Sequence, residues 1–161
     1  MPRVAQTVVI LKVAYLHRKR TWRRIAILSR QTLDDLALAI NAAFERDNDH
    51  LYSFFFPDLY PEGPITSRPK VHDAPEYTHP FNAEDPGPFC DKPLHNAAKT
   101  KIASLGLAPK QRFLFLYDFG DEWWHEITVE ETGTPVEKGK YPRLLDQRGD
   151  APPQYGPPPE E

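Results

Sequence analysis

A chain of 161 residues with 40% hydrophobic and 27% charged residues has the size and make-up of one globular domain, able to bury about 70% of the surface its unfolded form exposes. Its single cysteine, Cys90, excludes an intrachain disulfide framework. A net charge of −3 and a pI near 6.1 argue against strong nonspecific binding of polyanions, which calls for a basic domain.

The charge is unevenly spread. Eight of the 20 Lys and Arg residues lie in residues 1–30, where there is no Asp or Glu, so 31–161 hold 12 basic and all 23 acidic residues. Such a split fits an anion-binding face, or two parts of one domain that attract each other. The short apolar run Val8–Leu11 is broken by Lys12 and has no small-residue cleavage site behind it, unlike a secretory signal. Nothing approaches the ~20 apolar residues that span a bilayer. A cytoplasmic location is the resulting expectation.

Residues 7–16 are rich in β-branched and aromatic types and predict a strand, with Val9, Leu11, Val13 and Tyr15 on one face. After the basic tip Arg18-Lys19-Arg20 a second strand runs from Trp22 to Leu28, with Ile25 and Ile27 opposed to Trp22, Arg24, Ala26 and Leu28. The pair reads as a hairpin. Thr32 then predicts an N-cap, with Asp34 and Asp35 opposing the positive end of the helix dipole. Leu33, Leu36, Ile40, Ala43 and Phe44 recur at steps of three and four and form one apolar stripe. His50 to Phe56 starts a third strand.

Proline accounts for 18 residues, roughly twice the usual share of ~5%, and its main concentration, between Pro57 and Pro93, predicts a long loop over 57–95. Asn96 to Leu105 reads as a short helix. Arg112 to Tyr117 is apolar on both sides and predicts a central strand. Trp123 to Glu131 alternates, with Trp123, His125, Ile127 and Val129 opposed to Trp124, Glu126, Thr128 and Glu130. Between them Asp118-Phe119-Gly120-Asp121 predicts a turn, glycine being available for positive φ. Residues 132–161 read as an extended arm, with Tyr155 packing inward and a frayed tip at Pro157-Pro158-Pro159. The expected architecture is α+β: a β-grasp-like fold or α-β roll, a mostly antiparallel sheet with one main helix on one face. It would occupy 1–150 as a single domain, with 151–161 as a proline-rich tail.

Several stretches, taken in order, resemble the plasmid pRiA4b ORF-3-like family: Trp22-Arg23-Arg24-Ile25, the Thr32-Leu33-x-x-Leu36 helix start, His50-Leu51 with Phe54, and Tyr141-Pro142-Arg143. The most specific is Tyr117-Asp118-Phe119-Gly120-Asp121-x-Trp123-x-His125. The resemblance implies an α+β fold, an uncharacterised biochemical role and a link to plasmids and insertion elements as a passenger protein. It supplies no catalytic residue. Similar sequences often carry a tryptophan before the His-Leu pair and cysteines near the Tyr-Pro and Pro-Pro motifs; here Phe44-Glu45, Leu144 and Ala151 stand instead.

Asp118-Phe119-Gly120 is no kinase magnesium motif, because the chain lacks a Gly-rich phosphate loop and a His-Arg-Asp loop. Asp118, Asp121, His125 and His50 could together bind a divalent cation or act as acid and base, which would make a metal-dependent hydrolase or nuclease. His125 shares its face with Trp123 and Ile127, which favours a satisfied structural histidine. His72, His79, Cys90 and His95 fit none of the usual zinc spacings, and Cys90 has only Lys92 near it to activate a thiolate. Arg18, Lys19, Arg20, Arg23 and Arg24 beside Trp22 combine phosphate-pairing donors with a stacking surface, so weak nucleic-acid contact is a third reading. Alternatively Arg23 or Arg24 pairs with the acidic turn at Asp118, Asp121 and Glu122. The preferred expectation is a non-enzymatic binding or accessory protein with no cofactor, partnered by another protein or an anionic ligand. Its surface would gather Trp22, Arg23, Arg24, His50, Asp118, Asp121, Trp123 and His125.

Overall fold

The computed structural model describes residues 6–58, 60 and 69–152. Eight strands form one sheet: β1 (Val8–Tyr15), β2 (Arg18–Leu28), β3 (Tyr52–Phe55), β4 (Glu76–Thr78), β5 (Leu94–Asn96), β6 (Arg112–Tyr117), β7 (Trp123–Thr134) and β8 (Arg143–Arg148). Their order across the sheet is β5-β4-β3-β6-β7-β1-β2-β8. All neighbours are antiparallel except β4 and β5, which run parallel.

This overturns the expected β-grasp-like or α-β roll class. The fold is a large mixed sheet, and among the described residues α1 (Leu33–Ala43) is its one helix longer than five residues. The error lies in the proline-rich and polar stretches. Within 57–95 stand β4 and the short α2 (Pro80–Glu84), β5 begins at its end, and β8 lies in what reads as an arm. These strands are three to six residues long at or near the sheet edges, and such short edge strands need no apolar alternation to be held. The predicted helix at 96–105 is two 3-10 turns, Ala97–Lys99 and Ile102–Leu105. The glycine of the β6–β7 turn does not supply the positive φ; Asp118 (66°) and Glu122 (55°) do. The expected packing of Tyr155 and the frayed prolines lie outside the described residues.

The long elements form where their patterns place them. Thr32 caps α1 reciprocally: its hydroxyl accepts from Asp35 N at 3.2 Å, and the Asp35 carboxylate accepts from Thr32 N at 2.9 Å. The stripe Leu33, Leu36, Ile40 and Phe44 is fully buried against Val9, Leu11, Val13, Ile25, Ile27, Phe113, Ile127 and Val129. Burial of each such side chain stabilises by about 1.5–3 kcal/mol, which makes this face the main core. A smaller core on the other face packs Phe55, Leu114, Leu116 and Trp124 under Ala74 and Val71. β1 pairs with β7 in the centre, Tyr15 opposite His125 and Val13 opposite Ile127, so the basic and acidic hairpins are neighbours.

Candidate functional site

The site begins where α1 stops. Glu45 takes a left-handed conformation (φ 57°), its N–H donating to Ala42 O at 3.1 Å, and Arg46 N–H donates to Asn41 O at 2.8 Å. This paired closure turns the chain back on the helix, and the second residue past the cap normally supplies an apolar contact there. Here that residue is Arg46. Its guanidinium is carried inward, 5.4 Å from the Phe44 ring centroid and 5.0 Å from that of Tyr117. The residue is only 5% exposed.

Strand pairing completes a closely packed aromatic chamber whose rings touch one another. Phe115, His125 and Tyr15 are cross-strand neighbours on β6, β7 and β1. Their rings lie 5.2 Å (Phe115–His125) and 5.1 Å (His125–Tyr15) apart, and Phe44 sits over Tyr15 at 4.7 Å. Trp123, two residues before His125 on the same face, lies 5.9 Å from Tyr15. Arg23 closes one side, 4.7 Å from the Phe44 centroid. Its Nε donates to Ala43 O at the helix end, and its Nη1 donates to the carbonyls of Trp22, Arg148 and Gly149 at 2.9–3.1 Å. The segment after β8 is thereby strapped beside the same ring. Gly149 (φ 80°) lets the strap pass, since a Cβ there would stand 3.0 Å from Thr21 Cα.

The chemistry of the chamber is unmatched. Among the described residues, six of the eight buried side-chain polar atoms without a hydrogen-bond partner belong to four residues: Tyr15 Oη, Arg46 Nε, Nη1 and Nη2, Trp123 Nε1 and His125 Nε2. Burial, with no carboxylate among the described residues to offset it, pushes the Arg46 guanidinium down to about 10. Burial raises the Tyr15 phenol. Burial, then the Arg46 charge, hold His125 well below the ordinary imidazole range, so it is neutral. His125 Nδ1 donates to Phe115 O at 3.2 Å, because a carbonyl only accepts; Nε2 therefore presents a lone pair.

The eight anticipated surface residues fall into three places. Arg23, Trp123 and His125 line this chamber. Trp22 and Arg24 are on the opposite face, where Lys12 and Arg24 both lie over the Trp22 ring. There Arg24 pairs with Glu130 at 2.5 Å and with Asp146 at 3.3 Å, not with the acidic turn. His50 and Asp118 meet at 3.6 Å beside the β6–β7 turn, and the His50 ring lies against Tyr117. Asp118 Oδ1 accepts from Gly120 N and Asp121 N, which makes it the organiser of its own turn. Asp121 is exposed on that turn. His125 is on the helix face, buried away from this carboxylate pair.

Among the described residues no group of three or more His, Cys, Asp or Glu side chains is placed to hold a metal ion. The histidines of the proline-rich region serve separate ends. His79 Nδ1 caps α2 by accepting from Phe81 N, His95 stacks on Tyr77 at 4.7 Å, and exposed His72 pairs with Asp91. Cys90 is exposed, its thiol donating to Lys92 O. At the basic hairpin tip Lys19 pairs with Glu126 at 3.1 Å.

Arg46, Tyr15 and Phe44 were not in the anticipated set. The signal for Arg46 was slight: a basic residue following the last stripe position, Phe44, where an apolar or glycine stop is usual.

No helix among the described residues is long and apolar enough to cross a membrane. The chain is 28% identical over 149 residues to the uncharacterized protein y4hQ of Sinorhizobium fredii, a match covering 92% of this chain and 66% of that protein. It therefore spans just under two thirds of that relative. Its fold is similar to the crystal structure of a protein of unknown function, MM3350 from Methanosarcina mazei Go1, with a TM-score of 0.69 at 22% identity over 94% of this chain and 74% of the other. The model of the plasmid pRiA4b ORF-3-like proteins matches residues 7–155; with the Asp-Phe-Gly-Asp turn, the β7 histidine and the capped helix all in place within that span, the chain belongs to this family.

Proposed function

We propose that this is a cytoplasmic, non-enzymatic binding or accessory protein, and that it engages its ligand at the unpaired polar cluster of Tyr15, Arg46, Trp123 and His125. The unpaired guanidinium of Arg46 carries the reading. An isolated buried charge costs several kcal/mol, and buried polar groups in native proteins are almost always paired. A concentration of unpaired atoms at one place is the mark of a site built for something else to complete. The other charged residues of the anticipated surface support the same choice by contrast, since Arg24 and Asp118 are already engaged within the fold. A role linked to mobile genetic elements is part of the proposal and rests on the family's plasmid description.

The test is a mixture of anions and divalent cations applied to the full chain, with backbone and indole NMR shifts as the readout. The expected result is movement of the Tyr15, Arg46, Trp123 and His125 signals by anions and none by Mg²⁺ or Mn²⁺. Thermal stabilisation by Mn²⁺ that Asp118→Asn removes would favour a metal-dependent hydrolase instead.

A further inference from the structure

We infer that the outer face of the sheet docks a second copy of this chain, Phe89 of each copy entering an apolar cleft of the other. This surface lies opposite α1 and is independent of the cluster around Arg46.

The projecting part comes first. Phe89 follows α2 and is 95% exposed, an unusual position for a ring whose burial is strongly favoured. Its loop is held. Pro86 and Pro88 flank Gly87, Cys90 N–H donates to Gly87 O at 3.1 Å, and the Cys90 thiol donates to Lys92 O at 3.4 Å. Lys92 is fixed in turn, donating to Ala74 O at 2.8 Å and pairing with Glu76 at 3.2 Å. A ring presented on such a turn loses little freedom on docking.

The receiving part lies beside it. A cleft of about 740 Å³ opens on the outer face, with Phe55, Val71, Leu116 and Phe119 as its apolar lining. It shares His72, Glu76 and Lys92 with a smaller recess of about 270 Å³, which Phe89 helps to line. Ring and cleft are therefore neighbours across one ridge. A two-fold axis through that ridge sets each Phe89 over the other copy's cleft, a self-complementary arrangement that closes as a dimer. A ring and cleft on remote surfaces would build an open chain instead.

Charge selects the same partner. Residues 80–91, which carry the ring, contain Glu84, Asp85 and Asp91 and no Lys or Arg. The cleft presents exposed Lys70 on its wall. Across the two-fold axis each acidic segment meets the other copy's lysine, which favours this pairing over random contact.

The experiment is sedimentation equilibrium of the full chain from micromolar to millimolar concentration, with alkylation of Cys90 by iodoacetamide as a second readout. The mass should rise from 18.5 kDa to twice that value and stop there. Cys90, exposed beside the ring, should react more slowly as the dimer forms. Phe89→Ser, at a position too exposed to matter for folding, should raise the dissociation constant about a hundredfold, since two ring insertions are lost. Lys70→Glu should raise it about tenfold. Phe81→Ser, at a ring 63% exposed but outside the cleft, should change nothing. A mass of 18.5 kDa at every concentration overturns the inference. So does a dimer that Phe89→Ser leaves intact, or growth past the dimer. Protection of Cys90 in a monomer overturns it too, because the ring then closes on the cleft of its own chain.

Discussion

On the outer face of the sheet, Arg24 lies over Trp22 and is held by Glu130 and Asp146; on the helix face, Arg46 lies over Phe44 and Tyr117 with no acid beside it among the described residues. Both guanidinium groups use an aromatic ring as a floor. The outer one is 30% exposed on its side chain and keeps water as an alternative partner, so its ion pairs contribute little to stability. The inner one has given up water for ring contacts, with no hydrogen-bond partner among the described residues. A charge at the surface can be left over from chance. A buried one without a partner is retained against a cost, and that difference separates the solvated face of this protein from the part proposed to meet its ligand.

The largest effect should come from removing the floor of the chamber. Phe44 is fully buried and touches Tyr15, His125 and Arg23, so Phe44→Ala should cost about 3–5 kcal/mol in urea unfolding. A loss of only a few tenths would mean that the helix end is not seated as described. The two arginines should then separate in sign. Arg46→Met should gain about 2 kcal/mol without ligand, while Arg24→Met should lose no more than about 1 kcal/mol, and less at high salt. Equal losses at both positions would dissolve the contrast.

Titration sharpens it further. His125 is neutral and fully buried, held far below its ordinary 6.5. The unfolded chain binds the proton that the folded chain refuses. The stability due to the neutral ring is therefore complete above pH 6.5 and is lost as pH falls toward the folded value, with a slope of up to about 1.4 kcal/mol per pH unit. In His125→Phe this part of the slope should vanish, which urea midpoints between pH 7.5 and 5 would measure. The smallest effect concerns the closure of α1. Glu45 holds a left-handed conformation that favours glycine, so Glu45→Gly should gain up to about 1 kcal/mol. A loss would show that the Glu45 side chain matters to Arg23, with which it interacts electrostatically.

The parts of the molecule legible in the sequence share a physical cause. The faces of β1, β2 and β7 and the stripe of α1 are written in apolar periodicity, because each must bury one side against the same core. Arg112–Tyr117 is apolar on both sides, and β6 does lie inside the sheet with cores on both faces. The edge strands left no such mark. β8 is mostly exposed and β4 and β5 are three residues each, so their sequences record loop chemistry while their backbones complete the sheet.

The site divides along the same line. Period-two alternation by itself put Trp123 and His125 on one face with Ile127, and composition by itself marked residues 1–30 as basic throughout, a stretch that does not include Arg46. Periodicity also placed Arg24 opposite Ile25, hence away from the helix. Which cations find acids was decided only by tertiary structure, through strands far apart in sequence: Glu130 and Asp146 reach Arg24 because β7 and β8 flank the β1–β2 hairpin. The isolation of Arg46 has the same origin, since its surroundings are built from β1, β6, β7 and the end of α1. Pairing and burial depend on long-range approach, and no local pattern encodes that.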